Sequence, residues 1–466
     1  MFSLDLPTEI NYNTGIVCGR QKKRLKTNLL SVTYFPNKIS RKITLNQSTA
    51  DKYIFDEKTD LRNTRRFCRY KKLLPDTIRY ITNDPNGEIM KRFFSSIADY
   101  IRETDKLLII LCLCASLYGS VIILSATIIG SGYQRFIVQC IGTLLGLVVA
   151  VIVSLIDYKY LIKYWYICGG LGIGLVLLTF VIGFAPAGTD DKAWIALPFG
   201  QSFQPSELLK IAFVITFSTH LSYLKNEKRS SFFNVMLLCL HGAAPVLLIH
   251  RQGDDGTALV LFFIFLTMMF AAGIKLRYFA ALGGLVLAAV PLAWFFVMNS
   301  DQKDRVLALI YPDQYAAAIY QQARGELAIG SGGFFGTGLF KGPCVQGGLI
   351  PLGFNDFIFA SAGEELGFFG CLLIIALLTA ICVRILNVSK KSRDESGKLL
   401  CSGIFAMFAA QSIINIGMVL SFLPVIGITL PFFSAGGTSV VTLYLGIGIV
   451  LSVYKHRNMR PLLLRD

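Results

Sequence analysis

Asp356 stands at the end of the run Gly347-Gly348-Leu349-Ile350-Pro351-Leu352-Gly353-Phe354-Asn355-Asp356-Phe357-Ile358-Phe359-Ala360, where a long loop gives way to an apolar stretch. An ionised carboxylate drawn toward hydrocarbon costs about 2.5–3.5 kcal/mol at a helix centre and less near the interface, so a residue kept there reads as functional. A carboxylate in that position can act as a general base. Other polar groups also break into apolar sequence. In Gln204-Pro205-Ser206-Glu207-Leu208-Leu209-Lys210, Pro205 suits a first helical turn and Ser206 and Glu207 its N-terminal end. Lys210 follows Glu207 by three residues and shares its helix face, which leaves both an ion pair and a phosphate contact open to it. Asp254 and Asp255, ahead of Gly256 and Thr257, suit a helix start or a substrate contact. Trp194 is either an interfacial anchor or a substrate contact. Gln321 and Arg324 precede a glycine-rich run from Gly325 to Gly342 that lacks the Gly-Lys-Ser/Thr of a nucleotide loop and suits a re-entrant or close-packed segment lining a cavity. Ser434 leads into Gly436-Gly437-Thr438-Ser439, where small residues permit close helix packing.

The elements that position these groups are membrane helices. Apolar residues make up 54% of the chain and mean hydropathy is +0.57, above the roughly 45–50% apolar content of soluble domains. Ten stretches approach the about 20 residues needed to cross hydrocarbon. They fall near 107–129, 136–156, 165–185, 206–224, 233–250, 257–273, 278–298, 358–386, 399–422 and 438–454. The expected fold is an all-α integral membrane protein with a large extracytoplasmic loop, 299–356, between helices 7 and 8. Lys and Arg concentrate in one set of loops, including Lys159, Lys163, Lys225, Lys228, Arg229, Lys390, Lys391 and Arg393, and in the tail. Because cytoplasmic loops carry that excess, both termini are expected in the cytoplasm and Asp356 outside it.

Residues 1–89 hold seventeen Lys/Arg against nine Asp/Glu, about half of the net charge of +16, with no long apolar run. They read as a basic, disordered cytoplasmic extension, ahead of a ten-helix domain over 90–466; Met90-Lys91-Arg92 also suits a natural start. The charge follows topology, so nucleic acid is not an expected partner. The eleven cysteines lie mostly in apolar spans and read as small buried hydrophobes rather than a disulfide framework or zinc site. His220, His241 and His250 lie singly on spans and read as packed residues rather than ligands.

Four motifs, in order, resemble those of the SEDS family, the RodA/FtsW/SpoVE-type peptidoglycan polymerases. The run 204–210 resembles its Q-P-S-E-x-x-K, and Gln252-Gly253-Asp254-Asp255-Gly256-Thr257 its Q-P-D-x-G-T. Asn355-Asp356-Phe357-Ile358-Phe359-Ala360 with Glu364-Glu365-Leu366-Gly367 resembles H-T-D-F-I-F-A with E-E-L-G, and Leu423 to Ser439 resembles L-P-x-x-G-x-x-L-P-x-x-S-Y-G-G-S-S. The chain departs from the pattern at Gly253, Ala435 and Leu352-Gly353-Phe354, where the family has a Pro, a Tyr, and Glu and His side chains. The resemblance implies polymerisation of lipid II into glycan strands with release of undecaprenyl pyrophosphate, in elongation, division or sporulation. It implies Asp356 as general base, substrate contacts among Gln204, Ser206, Glu207, Lys210, Trp194, Asp254 and Ser434, and a class B penicillin-binding protein as transpeptidase partner in the bacterial cytoplasmic membrane; Gln321 and Arg324 join the expected contacts from their place beside the glycine-rich segment. Lys, Arg or a divalent cation, Mg or Mn, would face the departing phosphates. A flippase for lipid-linked precursors is the alternative.

Overall fold

The computed structural model describes residues 100–457 except 101, 131, 186–191, 198–200 and 225–228, together with three strands nearer the N-terminus. Residues 1–96 and 97–466 form two separate units. In the first, β1 (Ile16–Cys18), β2 (Leu29–Tyr34) and β3 (Arg41–Asn46) pair antiparallel in that order. The expectations of disorder over 1–89 and of a start at Met90 otherwise fall on residues outside those described.

The second unit is helical, and a helix occupies each of the ten expected positions. These are α1 (Lys106–Thr127), α2 (Gln134–Leu155), α4 (Trp165–Ile182), α5 (Pro205–Tyr223), α6 (Phe232–Arg251), α7 (Asp255–Ala271), α8 (Leu276–Phe296), α12 (Ile358–Lys390), α13 (Glu395–Val419) and α14 (Gly437–His456). A short α3 (Tyr158–Lys163) joins α2 to α4, and a hairpin of β4 (Ile195–Leu197) and β5 (Gln201–Phe203) precedes α5. Eight of the ten are long and apolar enough to cross a membrane. The exceptions are α7, at 17 residues, and α5, which carries Glu207 and Lys210. The polar content of α5 is tolerable because the helix is enclosed: its residues are buried almost throughout, whereas α8 buries none.

Small residues let α2 and α14 approach closely. A Cβ on Gly142 of α2 would meet the Gly437 carbonyl of α14 at 2.8 Å, and one on Gly448 would meet the Ala150 backbone at 2.9 Å. The large loop holds α9 (Ser300–Ile310), α10 (Ala316–Gly332) and α11 (Pro343–Gln346). It is bound into the bundle at a break in α12, where Gly367 has φ 65° and ψ −160°. The interrupted backbone is satisfied from the loop. Phe368 N–H donates to Gly333 O at 2.9 Å, and Glu364 and Glu365 carbonyls accept from Thr337 and Gly338 at 2.9 and 3.0 Å. The two glutamates are buried on the same turn. Glu364 accepts the Cys344 and Val345 N–H groups that open α11, and Glu365 accepts from Ser125 and Gln346.

Candidate active site

Asp356 lies two residues ahead of α12, in a turn tied to two other segments. Asn415 of α13 spends both amide hydrogens there, on Asp356 O at 2.8 Å and Ile428 O at 2.7 Å. Ser434 Oγ donates to Asn355 O at 2.8 Å and accepts from Leu430 N–H at 2.7 Å, while Ala435 N–H donates to Phe354 O at 3.0 Å. Ser434 is thus a brace of the aspartate loop. Asp356 is only 6% exposed, and its Oδ1 has no hydrogen-bond partner among the described residues. Gly427, at φ +68°, faces it: a Cβ there would stand 3.9 Å from Asp356 Oδ2. Burial, and then the charge of Asp254, push the Asp356 carboxyl up from the ordinary range near 3.8 to about 6.

Asp254 is the N-cap of α7. Its Oδ1 accepts from Thr257 N–H at 2.9 Å, as the sequence reading of a helix start anticipates. Its Oδ2 takes the side chains at the start of α5, Gln204 Nε2 at 2.8 Å and Ser206 Oγ at 3.1 Å. One turn into α5, Lys210 Nζ and Glu207 Oε1 pair at 2.7 Å, with Lys210 1% and Glu207 6% exposed; Glu207 Oε2 is unpartnered. The geometry therefore gathers Gln204, Ser206, Glu207, Lys210 and Asp254 at the joint of α5 and α7, and Asp254 links that joint to Asp356 through its field.

The other sequence candidates sit apart. Trp194 pairs its backbone with Phe184 at 2.9 and 3.4 Å, and Arg324 stacks its guanidinium 5.3 Å from the Tyr320 ring. Gln321 is half-buried on α10, and among the described contacts none joins these three residues to Asp356. The working residue on that helix is the neighbour, Gln322, whose Nε2 donates to Met418 and Leu423 carbonyls at 2.8 and 2.9 Å. Asn415 and Gln322 were not singled out from sequence; for Asn415 an amide within an apolar span is itself the signal, whereas Gln322 lies in the large loop.

Arg135 was passed over as well, and it lies against the aspartate loop. Its guanidinium sits 4.0 Å from the Phe354 ring, the position where the family pattern has histidine. Both border a cavity of about 400 Å³ whose lining also includes Ser125, Gln346, Leu352 and Ser361. Among the described residues, Arg135 is the one charged side chain in that lining.

Among the described residues no group of three or more His, Cys, Asp or Glu is arranged to hold a metal ion. Asp356 Oδ1 and Asn355 Oδ1 are nevertheless both buried without partners. Two hard oxygens fit Mg²⁺, which keeps waters and takes one or two protein ligands together with substrate phosphates.

Residues 105–459 match the cell cycle protein family of FtsW, RodA and SpoVE. The chain is 30% identical over 384 residues to the peptidoglycan glycosyltransferase MrdB of Escherichia coli K12, covering 81% of this chain and 99% of that protein. It is 30% identical over 367 residues to the probable peptidoglycan glycosyltransferase FtsW of Geobacter sulfurreducens, covering 76% and 95%. Among solved structures, it superposes on a chain from a peptidoglycan synthase complex that coordinates polymerization and crosslinking, with a TM-score of 0.67, 26% identity and coverage of 77% and 99%. It superposes on the rod shape determining protein RodA of Thermus thermophilus with a TM-score of 0.57, 25% identity and coverage of 77% and 98%. With the family match spanning most of its length and the ten helices in place, this chain is a multi-pass membrane protein and belongs to the FtsW/RodA/SpoVE, or SEDS, family.

Proposed function

We propose that the chain is a peptidoglycan glycosyltransferase that polymerises lipid II, with Asp356 as its general base. The observation that carries the role of Asp356 is a buried carboxylate with an unpartnered oxygen, held in a braced loop and titrating near 6. Such a group is ionised at neutral pH yet basic enough to take a proton in the transition state. The acceptor sugar hydroxyl loses its proton to the Asp356 carboxylate as its oxygen bonds to the anomeric carbon of the donor. The bond from that carbon to the diphosphate oxygen breaks, its electron pair leaves on undecaprenyl pyrophosphate, and the anomeric centre inverts. The departing diphosphate needs charge neutralisation rather than a proton, so a second acid is not required. Arg135, the cation of the adjoining cavity, is the side chain best placed to supply that charge. Mg or Mn held by Asp356 and Asn355 would supply the same neutralisation.

Gln204 and Ser206 tie the start of α5 to α7 through Asp254, and one turn further Glu207 pairs with Lys210 within α5. The excess of Lys and Arg in one set of loops supports a site on the outer face of the cytoplasmic membrane with both termini inside. A class B penicillin-binding protein is the partner this reading implies, supported by the complex from which the structural relative comes. The deciding experiment reconstitutes the chain with labelled lipid II. Glycan strands from the unsubstituted chain and none from Asp356→Asn support the reading; translocation without polymerisation would replace it with the flippase.

A further inference from the structure

His220 of α5 and His241 of α6, which the sequence places on separate spans, meet edge to edge. Their ring centroids are 5.3 Å apart with 25° between planes, and their Nδ1 atoms approach to 3.0 Å. The surrounding hydrogen bonds decide which nitrogen carries which proton. Thr216 Oγ1 is 3.1 Å from Phe213 O, which can only accept, so the hydroxyl hydrogen goes there. The 3.2 Å contact between Thr216 Oγ1 and His241 Nε2 is then donated by the imidazole. His241 Nε2 carries its hydrogen, and its Nδ1 lone pair points at His220. Phe213 and Phe217 hold the His241 ring edge-on at 5.9 and 5.3 Å, which fixes that direction.

This is how a protein prepares an imidazole for a metal: the far nitrogen donates to an oxygen, and the near lone pair is aimed. We propose that His220 and His241 form a two-imidazole site for a borderline transition-metal dication, binding through both Nδ1 atoms and tying α5 to α6. Metal–nitrogen bonds run about 2.0–2.1 Å, so a tetrahedral angle needs the two atoms to part to about 3.3–3.4 Å, a few tenths of an ångström beyond their present approach. Both imidazoles bind neutral. His220 gives up its Nδ1 proton and takes one at Nε2, so binding releases no net proton from the uncharged pair. Imidazole ligands suit Zn, Cu and Ni, and Cu²⁺ should bind tightest of the divalent series. This site is independent of Asp356.

The test titrates the untagged full chain in detergent with Cu²⁺ and follows it by electron paramagnetic resonance, with Zn²⁺ as competitor. One ion per chain showing hyperfine coupling to two nitrogens is expected. H220Q and H241Q should each remove one nitrogen coupling and weaken binding at least tenfold. Thr216→Val keeps both rings but removes the oxygen that accepts from His241 Nε2, and should weaken binding roughly 10–100-fold. That variant keeps the test valid if a histidine variant fails to fold. Coupling to a single nitrogen, equal affinity in the H220Q/H241Q double variant, or no saturable binding at millimolar ion overturns the proposal.

Discussion

Asn415 hydrogen-bonds the backbone carbonyl of Asp356, and the same amide group holds Ile428, so one buried side chain sets the distance between the aspartate loop and the segment that faces it. Its donors have no substitute. Asn415→Asp keeps the shape but cannot donate when ionised, leaving two carbonyls unsatisfied at roughly 1–3 kcal/mol each. It also adds a buried negative charge next to Asp356. Turnover should fall at least tenfold and the acid limb of the pH–rate profile should move to higher pH. A profile of unchanged shape in a variant that simply melts earlier would reduce Asn415 to a packing role.

For Asp356→Asn we expect a loss of polymerisation of about 10²–10⁴-fold, the usual contribution of a positioned base, with normal insertion. Stability should move the other way. The folded carboxyl titrates near 6 against an ordinary 3.8, so the folded state is favoured by protonation. That contribution is full below the lower value and lost as pH rises through the higher one. The Asn variant should therefore melt above the unsubstituted protein at pH 7.5, by a margin that shrinks toward pH 4.

Asp254→Asn removes the second cause of the raised Asp356 value and leaves the first, burial. The acid limb of activity should shift below 6 without reaching the ordinary carboxylate range. Asn retains the capping of α7 through its Oδ1 but turns an amide NH2 toward Gln204 and Ser206, so some loss of melting temperature is expected and the shift of the acid limb in the folded variant is the reading that decides.

Glu207→Gln strands the Lys210 charge in an enclosed helix and should cost about 3–5 kcal/mol, while the double variant Glu207→Gln/Lys210→Met should recover most of that loss. Turnover per folded molecule of the double variant then separates the two readings of Lys210. A rate near that of the unsubstituted chain makes the pair structural; a large deficit gives Lys210 a part in binding diphosphate.

Removing residues 1–89 should leave insertion and lipid II polymerisation intact, because the family match begins at residue 105. Membrane fractionation and the polymerisation assay on a chain starting at Met90 check this.

The helices were readable because a bilayer imposes length and apolarity on every span, and each of the ten expected stretches holds one. What lay inside the long loop was less legible. Asn299 and Gln302 form a capping box that opens α9, a local signal in a polar stretch with no apolar run beside it to mark a helix. The break at Gly367 was hidden because Glu364-Glu365-Leu366-Gly367 continues into apolar sequence without a proline. Asp356 and Asp254 could be found as charges at span ends. That Gln204 and Ser206 both reach Asp254 could not, since it depends on how α5 and α7 cross. That Gln322, one residue and about 100° around the helix from Gln321, reaches the Met418 and Leu423 carbonyls was not legible either, since it depends on how α10 lies against the end of α13.

The discontinuity at Gly367 makes the outer part of α12 a short lever. Nine residues, Ile358 to Leu366, span about 13 Å at 1.5 Å per residue. Asp356 lies just beyond one end, and the pivot, gripped by the segment 333–338, lies at the other. A force applied to the outer loop is delivered through backbone hydrogen bonds to that pivot rather than absorbed by slack chain. The aspartate is thus held from two sides, by Asn415 and Ser434 at its own loop and, through a stiff nine-residue helix, by the grip of the outer loop on the pivot.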